Sequence, residues 1–342
     1  MTTAYITHSR YNEHDIPGHP ERPERLTSIW QALEKSKLAD RMKQIEPQGV
    51  SNEQILAVHT AEYLEVLEKI SHTDAIVGFD ADTYALPISP EIARLSAGGV
   101  VRAVDEIMSK KADNALVPVR PPGHHATPER GMGFCLLSNV AIAVRHAQKK
   151  YGIERVMVAD YDVHHGNGTQ DAFYEDDSVL FISTHQHPYY PGTGGMNSTG
   201  SGQGKGYNVN IPVPGGHGDQ SYTRLYKEIL WPLVRRFQPQ LIIVSAGFDG
   251  HWVDPLASMC LTSSGYAHLN RELVSMANEL CDGKIAFVLE GGYDVVALSD
   301  GMSNVAHALL GDDETIDSVG KDNSREPDSS ILIGKIKKLH NL

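Results

Sequence analysis

In the stretch VADYDVHHGNGTQ (158–170), Asp160, Asp162, His164 and His165 crowd behind an apolar run and ahead of two glycines. Burying so many ionisable groups is costly unless something pairs them. A metal ion, a proton-transfer site or a crowded polar turn would each account for the pattern. Residues two apart in an extended chain face the same way. Asp162 and His164 can therefore offer a carboxylate oxygen and an imidazole nitrogen to one ion. A catalytic zinc takes three protein ligands and keeps one position open. The stretch SAGFDGHWVDP (245–255) supplies Asp249 as a third ligand, again just past an apolar run.

RPPGHHATPERGMGF (120–134) sets His124 and His125 side by side after Pro-Pro-Gly. Two imidazoles beside a metal can move protons near neutral pH; two solvated side chains on a turn are the alternative. Each ring needs an acceptor behind it. Asp160 and Asn167 suit that task, one charged and one neutral, a difference that separates the two histidine pKa values. In LEGGYD (289–294), Tyr293 follows two glycines. Its phenol can donate to a carbonyl oxygen as negative charge develops there, or simply pack on a turn. Phe134, with Tyr189 and Tyr190 of PYYPGTG (188–194), can wall a narrow channel for an aliphatic stem; core packing is the other use of such rings.

These residues need a frame. Apolar runs suited to buried parallel strands recur at 4–8, 115–119, 155–160, 179–184, 207–213, 241–247 and 285–292. Helical patterns lie between them at 24–36, 52–70, 90–110, 138–150, 219–236, 264–281 and 295–310. The alternation predicts an α/β fold with a mostly parallel sheet. In such sheets the ligand crevice lies beyond the carboxyl ends of the strands. Five of the runs end there in polar, glycine-bearing loops. Residues 187–206 read as a long, mobile surface loop, and loops of that length are often functional. Residues 311–330 read as a polar, acidic linker, and 331–342 as a short helix or strand. One domain over 1–310, with 311–342 packed on it or trailing, is expected.

The chain has 342 residues, a net charge of −13 and 41% hydrophobic residues. That acidity disfavours a nucleic-acid partner, which needs clustered Lys and Arg. Cys135, Cys260 and Cys281 form no CxxC, so a reducing compartment is expected. The first residues carry no secretory pattern and no apolar stretch approaches membrane-spanning length. A cytoplasmic protein without membrane partners is the expectation.

Taken together, GHPERPERL (18–26), RPPGHHA (120–126), GFCLLSN (133–139), DYDVHHGNGTQ (160–170), PGTG (191–194), SAGFDGHWVDPL (245–256) and LEGGYD resemble the zinc-dependent histone deacetylase family. That family includes acetylpolyamine amidohydrolases and bacterial deacetylase-like amidohydrolases. The resemblance runs from about residue 4 to 310, and DVHHGNGTQ is most similar to the class II and bacterial branch. It implies a three-layer α/β/α arginase-like fold with an eight-stranded parallel sheet. It implies Asp162, His164 and Asp249 as zinc ligands, and His124, His125, Asp160, Asn167 and Tyr293 as catalytic residues. His125 is then the general base, and His124, paired with Asp160, stays protonated. It further implies a structural potassium site at Asp160, Asp162, Ser183 and the carbonyls of His164 and Thr184. Gly133, Phe134, Tyr190, Leu256 and Asp82 are implied along the channel and its rim. The implied substrate is an acetylated protein, peptide or small amine. Leu256 stands where polyamine-selective relatives often carry an acid, which favours acetyllysine and leaves acetylpolyamines second. A non-hydrolytic binding module and a two-manganese ureohydrolase are the other readings; the intact site residues weigh against the first and the His-His pair against the second. A homo-oligomer is left open.

Overall fold

Every apolar run singled out above becomes a strand of one sheet. The computed structural model describes residues 1–322 and 324–342. In chain order the elements are β1 (Thr3–Ile6), α1 (Glu24–Lys35), β2 (Lys43–Ile45), α2 (Asn52–Ile55), α3 (Ala61–Ile70), β3 (Val77–Gly78), β4 (Tyr84–Ala85), α4 (Ser89–Met108) and β5 (Asn114–Val117). Then come α5 (Asn139–Tyr151), β6 (Val156–Asp160), α6 (Asn167–Phe173), β7 (Val179–Gln186), β8 (Asn208–Val213), α7 (Asp219–Leu225) and α8 (Trp231–Phe237). The chain continues through β9 (Leu241–Ala246), α9 (Ser263–Leu280), β10 (Ile285–Leu289), α10 (Val295–Leu310) and α11 (Ser330–His340).

The main sheet has eight strands in the order β2-β1-β5-β10-β9-β6-β7-β8, and every pairing in it is parallel. β6, β9 and β10 are buried along their whole length. Helices cover both faces of the sheet, which is why these strands read as continuous apolar runs rather than alternating ones. α1, α9 and α10 pack together with α7 and α8, while α4 packs with α3 and α5. The result is a three-layer α/β/α architecture. The chain runs outward from β1 to β2, crosses over, runs outward again through β6, β7 and β8, and then fills the middle with β9 and β10. The loops that follow β5, β10, β9, β6 and β7 thereby meet at the carboxyl edge, where such sheets switch direction and bind ligands.

Some local expectations change. β2 was not foreseen, because an exposed edge strand of sequence KQI carries no apolar run. The helix expected over 52–70 is two helices: Thr60, in extended conformation, accepts from the Tyr63 amide and starts a new one. The helix expected over 219–236 carries a wider turn at Tyr226–Leu230, just ahead of Pro232, which lacks the amide hydrogen a regular turn uses. A short helix, α6, begins inside the polar DYDVHHGNGTQ stretch, whose sequence reads as a loop.

The segment read as a polar linker, 311–330, is tied to the body. Arg41 donates to both oxygens of Asp312, at 2.7 and 2.9 Å, and Asn304 exchanges hydrogen bonds with the Ile316 backbone. The Trp252 indole donates to the Gly320 carbonyl at 2.9 Å. Glu326 accepts from the amides of Gly218, Gln220 and Ser221, which open α7. The closing segment is a helix, not a strand, and it buries Ile333 and Ile336.

Candidate active site

Three loop residues beyond β6 and β9 converge. Ligand atoms of Asp162, His164 and Asp249 lie within 4.8 Å of one another. His164 Nδ1 is 3.2 Å from Asp162 Oδ1 and 3.2 Å from Asp249 Oδ2. The other carboxylate oxygens are occupied: the Gly291 amide donates to Asp162 Oδ2 at 2.7 Å and the Val163 amide to Asp249 Oδ1 at 2.9 Å. Backbone donors thus aim one oxygen of each acid at the imidazole nitrogen. Gly291 must be glycine here, since a Cβ would sit 2.1 Å from Asp249 Oδ2. Burial pushes the His164 pKa down, but the two acids outweigh it and hold it at about 10. Two buried carboxylates turned toward one imidazole nitrogen call for a cation between them. Two carboxylate oxygens and one nitrogen with a side open to a cavity fit a catalytic zinc ion.

The tandem histidines stand beside this triad on the loop after β5. His124 Nδ1 is 3.0 Å from Asp160 Oδ2, and its Nε2 is 3.8 Å from Asp162 Oδ1. His125 Nδ1 is 2.8 Å from Asn167 Oδ1. The Asn167 amide nitrogen donates to the His125 carbonyl, which fixes the side chain so that its oxygen faces the ring. His125 therefore carries its hydrogen on Nδ1 and leaves Nε2 free to accept a proton. Burial lowers both histidines, and the partners separate them. The Asp162 and Asp160 carboxylates lift His124 well above the ordinary imidazole range. Burial, then the positive charges of His124 and His164, hold His125 well below it. The surroundings thus favour the charged form of His124 and the neutral form of His125.

Tyr293 completes the floor. The residue is half-buried at the cavity wall, and desolvation holds its phenol well above the usual tyrosine range, so it keeps its proton and can donate. The Arg25 guanidinium lies 5.0 Å from its ring centroid. A cavity of about 250 Å³ opens above, lined by His124, His125, His164, Tyr293, Phe134, Tyr190, Gly133, Leu256 and Asp82, with Pro122, Tyr189 and Gly291. A larger cleft, about 610 Å³, lies between the tail and α7 and shares no lining residue with it. Phe134 holds the unusual φ of +66°, and its amide donates to Thr83 Oγ1 at 2.9 Å. Asp160, Asp162, Asn167 and Asp249 are buried behind the cavity wall. Ser183 is the register neighbour of Asp160 on β7, and Thr184 follows it. The Ser183 hydroxyl is 2.8 Å from His185 Nδ1.

Sequence reasoning passed over several residues that hold these in place. Asp254 accepts from the amides of Tyr293 at 2.7 Å and Leu256 at 2.9 Å. Burial, then the Asp249 charge, raise its pKa to about 7. Glu290 accepts from the amides of Gly123 and His124 and from the Ser245 hydroxyl. Arg25 donates to the carbonyls of Gly292 and Glu290. Asp80 accepts from the Gly133 amide, at 3.3 Å. Asp254 and Glu290 stood inside the quoted motifs, but a carboxylate that clamps backbone leaves no spacing pattern to read. The loop 187–206, expected to be mobile, is pinned by buried histidines: His165 Nδ1 meets Thr193 Oγ1 at 2.8 Å, and His185 Nε2 meets the Gly194 carbonyl at 2.9 Å.

Residues 19–309 match the model of the histone deacetylase domain. A probable deacetylase of Archaeoglobus fulgidus is 46% identical over 299 residues, 86% of this chain and 82% of that protein. A histone deacetylase-like amidohydrolase of Pseudomonas aeruginosa is 41% identical over 281 residues, 81% of this chain and 73% of that one. The crystal structure of the HDA15 HD domain superposes with a TM-score of 0.91 at 34% identity, covering 99% of this chain and 96% of that one. The family is generally zinc-dependent, and the Asp162–His164–Asp249 triad is where such an ion would sit. Fold, site and relatives agree that this chain belongs to the histone deacetylase family, and that it is a hydrolase acting on amide bonds.

Proposed function

We propose that this protein removes acetyl groups from acetylated lysine side chains of proteins or peptides, releasing acetate and the free amine. One observation carries the reading: two adjacent histidines, one backed by Asp160 and the other by Asn167, stand beside the Asp162–His164–Asp249 triad at the floor of a narrow cavity. Asp162, His164 and Asp249 would hold the zinc ion. The chemistry zinc supplies in such a site is polarisation of an amide carbonyl and acidification of a water. His125 Nε2 takes the proton of the attacking water, and Asn167 keeps that ring in the right tautomer. His124, paired with Asp160, keeps its positive charge beside the developing oxyanion. The Tyr293 hydroxyl donates to that oxygen. His125 then returns the proton to the departing nitrogen, so the amine leaves neutral. Phe134 and Tyr190 flank the aliphatic stem, and Gly133, Leu256 and Asp82 form the rim. A potassium ion among Asp160, Asp162, Ser183 and the carbonyls of His164 and Thr184 belongs to the same reading. The set is all oxygen, as a hard cation requires, and Asp160 and Ser183 are neighbours in register.

Acetylpolyamines are the second reading. The −13 charge and the acids Asp80 and Asp82 near the mouth favour cationic substrates, while Leu256 lines the cavity without a charge. Free cysteines and the absence of a disulfide among the described residues suit a reducing, cytoplasmic setting. Comparison of kcat/KM for acetyllysine peptides and for acetylputrescine and acetylspermidine tests the choice. Preference for the peptides is expected; preference for the polyamines reverses it, and turnover of neither by zinc-loaded protein removes the deacetylase proposal.

A further inference from the structure

Tyr189 differs from the other aromatic residues of the channel. Its ring lies flat against His164, with centroids 5.6 Å apart and planes inclined by 25°. Its hydroxyl crosses to the opposite loop and donates to the Leu256 carbonyl at 2.9 Å. Leu256 is itself held by Asp254, whose other oxygen accepts from the Tyr293 amide. A continuous chain of contacts therefore runs from the loop after β7, across the mouth, to the backbone of Tyr293. A second bridge joins the same two loops, since the Ser258 amide donates to Gln186 Oε1 at 2.9 Å.

The loop that carries Tyr189 is fixed at its far end. Thr193 and Gly194 are gripped by His165 and His185 as described above. Gly194 has φ +83°, and a Cβ there would lie 2.4 Å from His185 Nε2. Only glycine lets the loop reach its anchor. A tyrosine on a secured loop, bonded to the carbonyl of a rim residue, can fix the distance between two walls.

We propose that Tyr189 is a positioning residue that sets the width of the channel mouth. It holds the loop bearing Leu256 against the loop after β7, and so selects slim, unbranched amine stems over branched ones. This rests on the amidohydrolase reading given above. The hydrogen bond acts on substrate fit and not on charge that develops later. Its loss therefore acts on KM and leaves kcat near its original value.

The test compares wild type with Tyr189→Phe, which keeps the ring on His164 and removes only the hydroxyl. The probes are an N-acetylated linear alkylamine and its analogue with one methyl branch at the carbon nearest the mouth. Zinc-loaded Tyr189→Phe is expected to raise KM for the linear amide about threefold to tenfold, the range of one neutral hydrogen bond. The preference for linear over branched amide is expected to fall by a similar factor, with kcat within about twofold. Hydrogen exchange on the metal-free protein gives a readout free of catalysis. Amides of residues 256–259 and of 189–192 are expected to exchange faster together in the variant. An unchanged KM and linear-to-branched preference, or exchange that quickens in neither segment or only in 189–192, overturns the strut. Wild-type protein that hydrolyses no acetyl amide sinks the function reading instead, and the exchange experiment still decides the role of Tyr189.

Discussion

At the scale of single residues, the site divides labour through what stands behind each group. The pKa values of two adjacent imidazoles are pushed in opposite directions, with one ring leaning on the Asp160 carboxylate and the other on the Asn167 amide. Asn167→Asp would give His125 a charged partner and raise its pKa. Activity needs His125 unprotonated, so the acid limb of the kcat/KM profile should move upward by about one pH unit or more; a limb that stays in place shows that His125 is not the base. In the unaltered protein that limb should lie below the usual histidine range, because burial and neighbouring positive charge depress the His125 pKa. The alkaline limb should lie above it, where His124 loses the proton its carboxylates hold. Tyr293→Phe removes a single donor to the oxyanion, and its kcat should fall about 10²- to 10³-fold while KM changes little. Steady-state kinetics with one acetyllysine peptide distinguishes this from a general loss of binding.

At the scale of elements, backbone and glycine place the acids. Gly291 lets the β10 loop pass against both carboxylates of the triad, with a notional Cβ 2.1 Å from one and 2.6 Å from the other. Gly291→Ala must displace them, and zinc affinity measured by competition with a chelator should weaken by about 10- to 100-fold, as for other residues that orient metal ligands. Glu326 plays a structural part far from the cavity by accepting from three amides at the start of α7. Glu326→Ala should cost about 1 kcal/mol of stability in urea unfolding while kcat stays unchanged. Burial raises the Glu326 pKa, but those amides outweigh it and hold it below the ordinary glutamate value. Its contribution is therefore present above the unfolded-state pKa and fades as pH falls through the folded one. The central strands and the loops that carry the candidate site were legible in the sequence, because strands buried on both faces write continuous apolar runs and ionisable residues crowd at their ends. β2 was not, because an exposed edge strand needs no apolar run. Asp254 and Glu290 were equally silent, since their partners are backbone amides that every residue possesses. The grip of His165 and His185 on Thr193 and Gly194 was hidden for a related reason: a glycine-rich segment looks loose until the groups that hold it are known.

At the scale of the whole molecule, the sheet order matters more than any contact within it. β6 and β9 are neighbours although β7, β8, α7 and α8 lie between them in the chain, and the triad draws from the loops after both. Zinc that binds only the assembled site should raise the melting temperature, by an amount equivalent to about 2.7 kcal/mol at a hundredfold excess over Kd. A chelator should reverse the shift, and Asp249→Asn should show none of it. The same topology has a kinetic consequence. Asp249 cannot reach Asp162 and His164 until the long β6–β9 crossover has closed, so an ion held by all three would arrive as a late guest and not as a nucleus. Refolding from urea should then run at one speed with or without zinc, while the metal slows only the escape from the finished state.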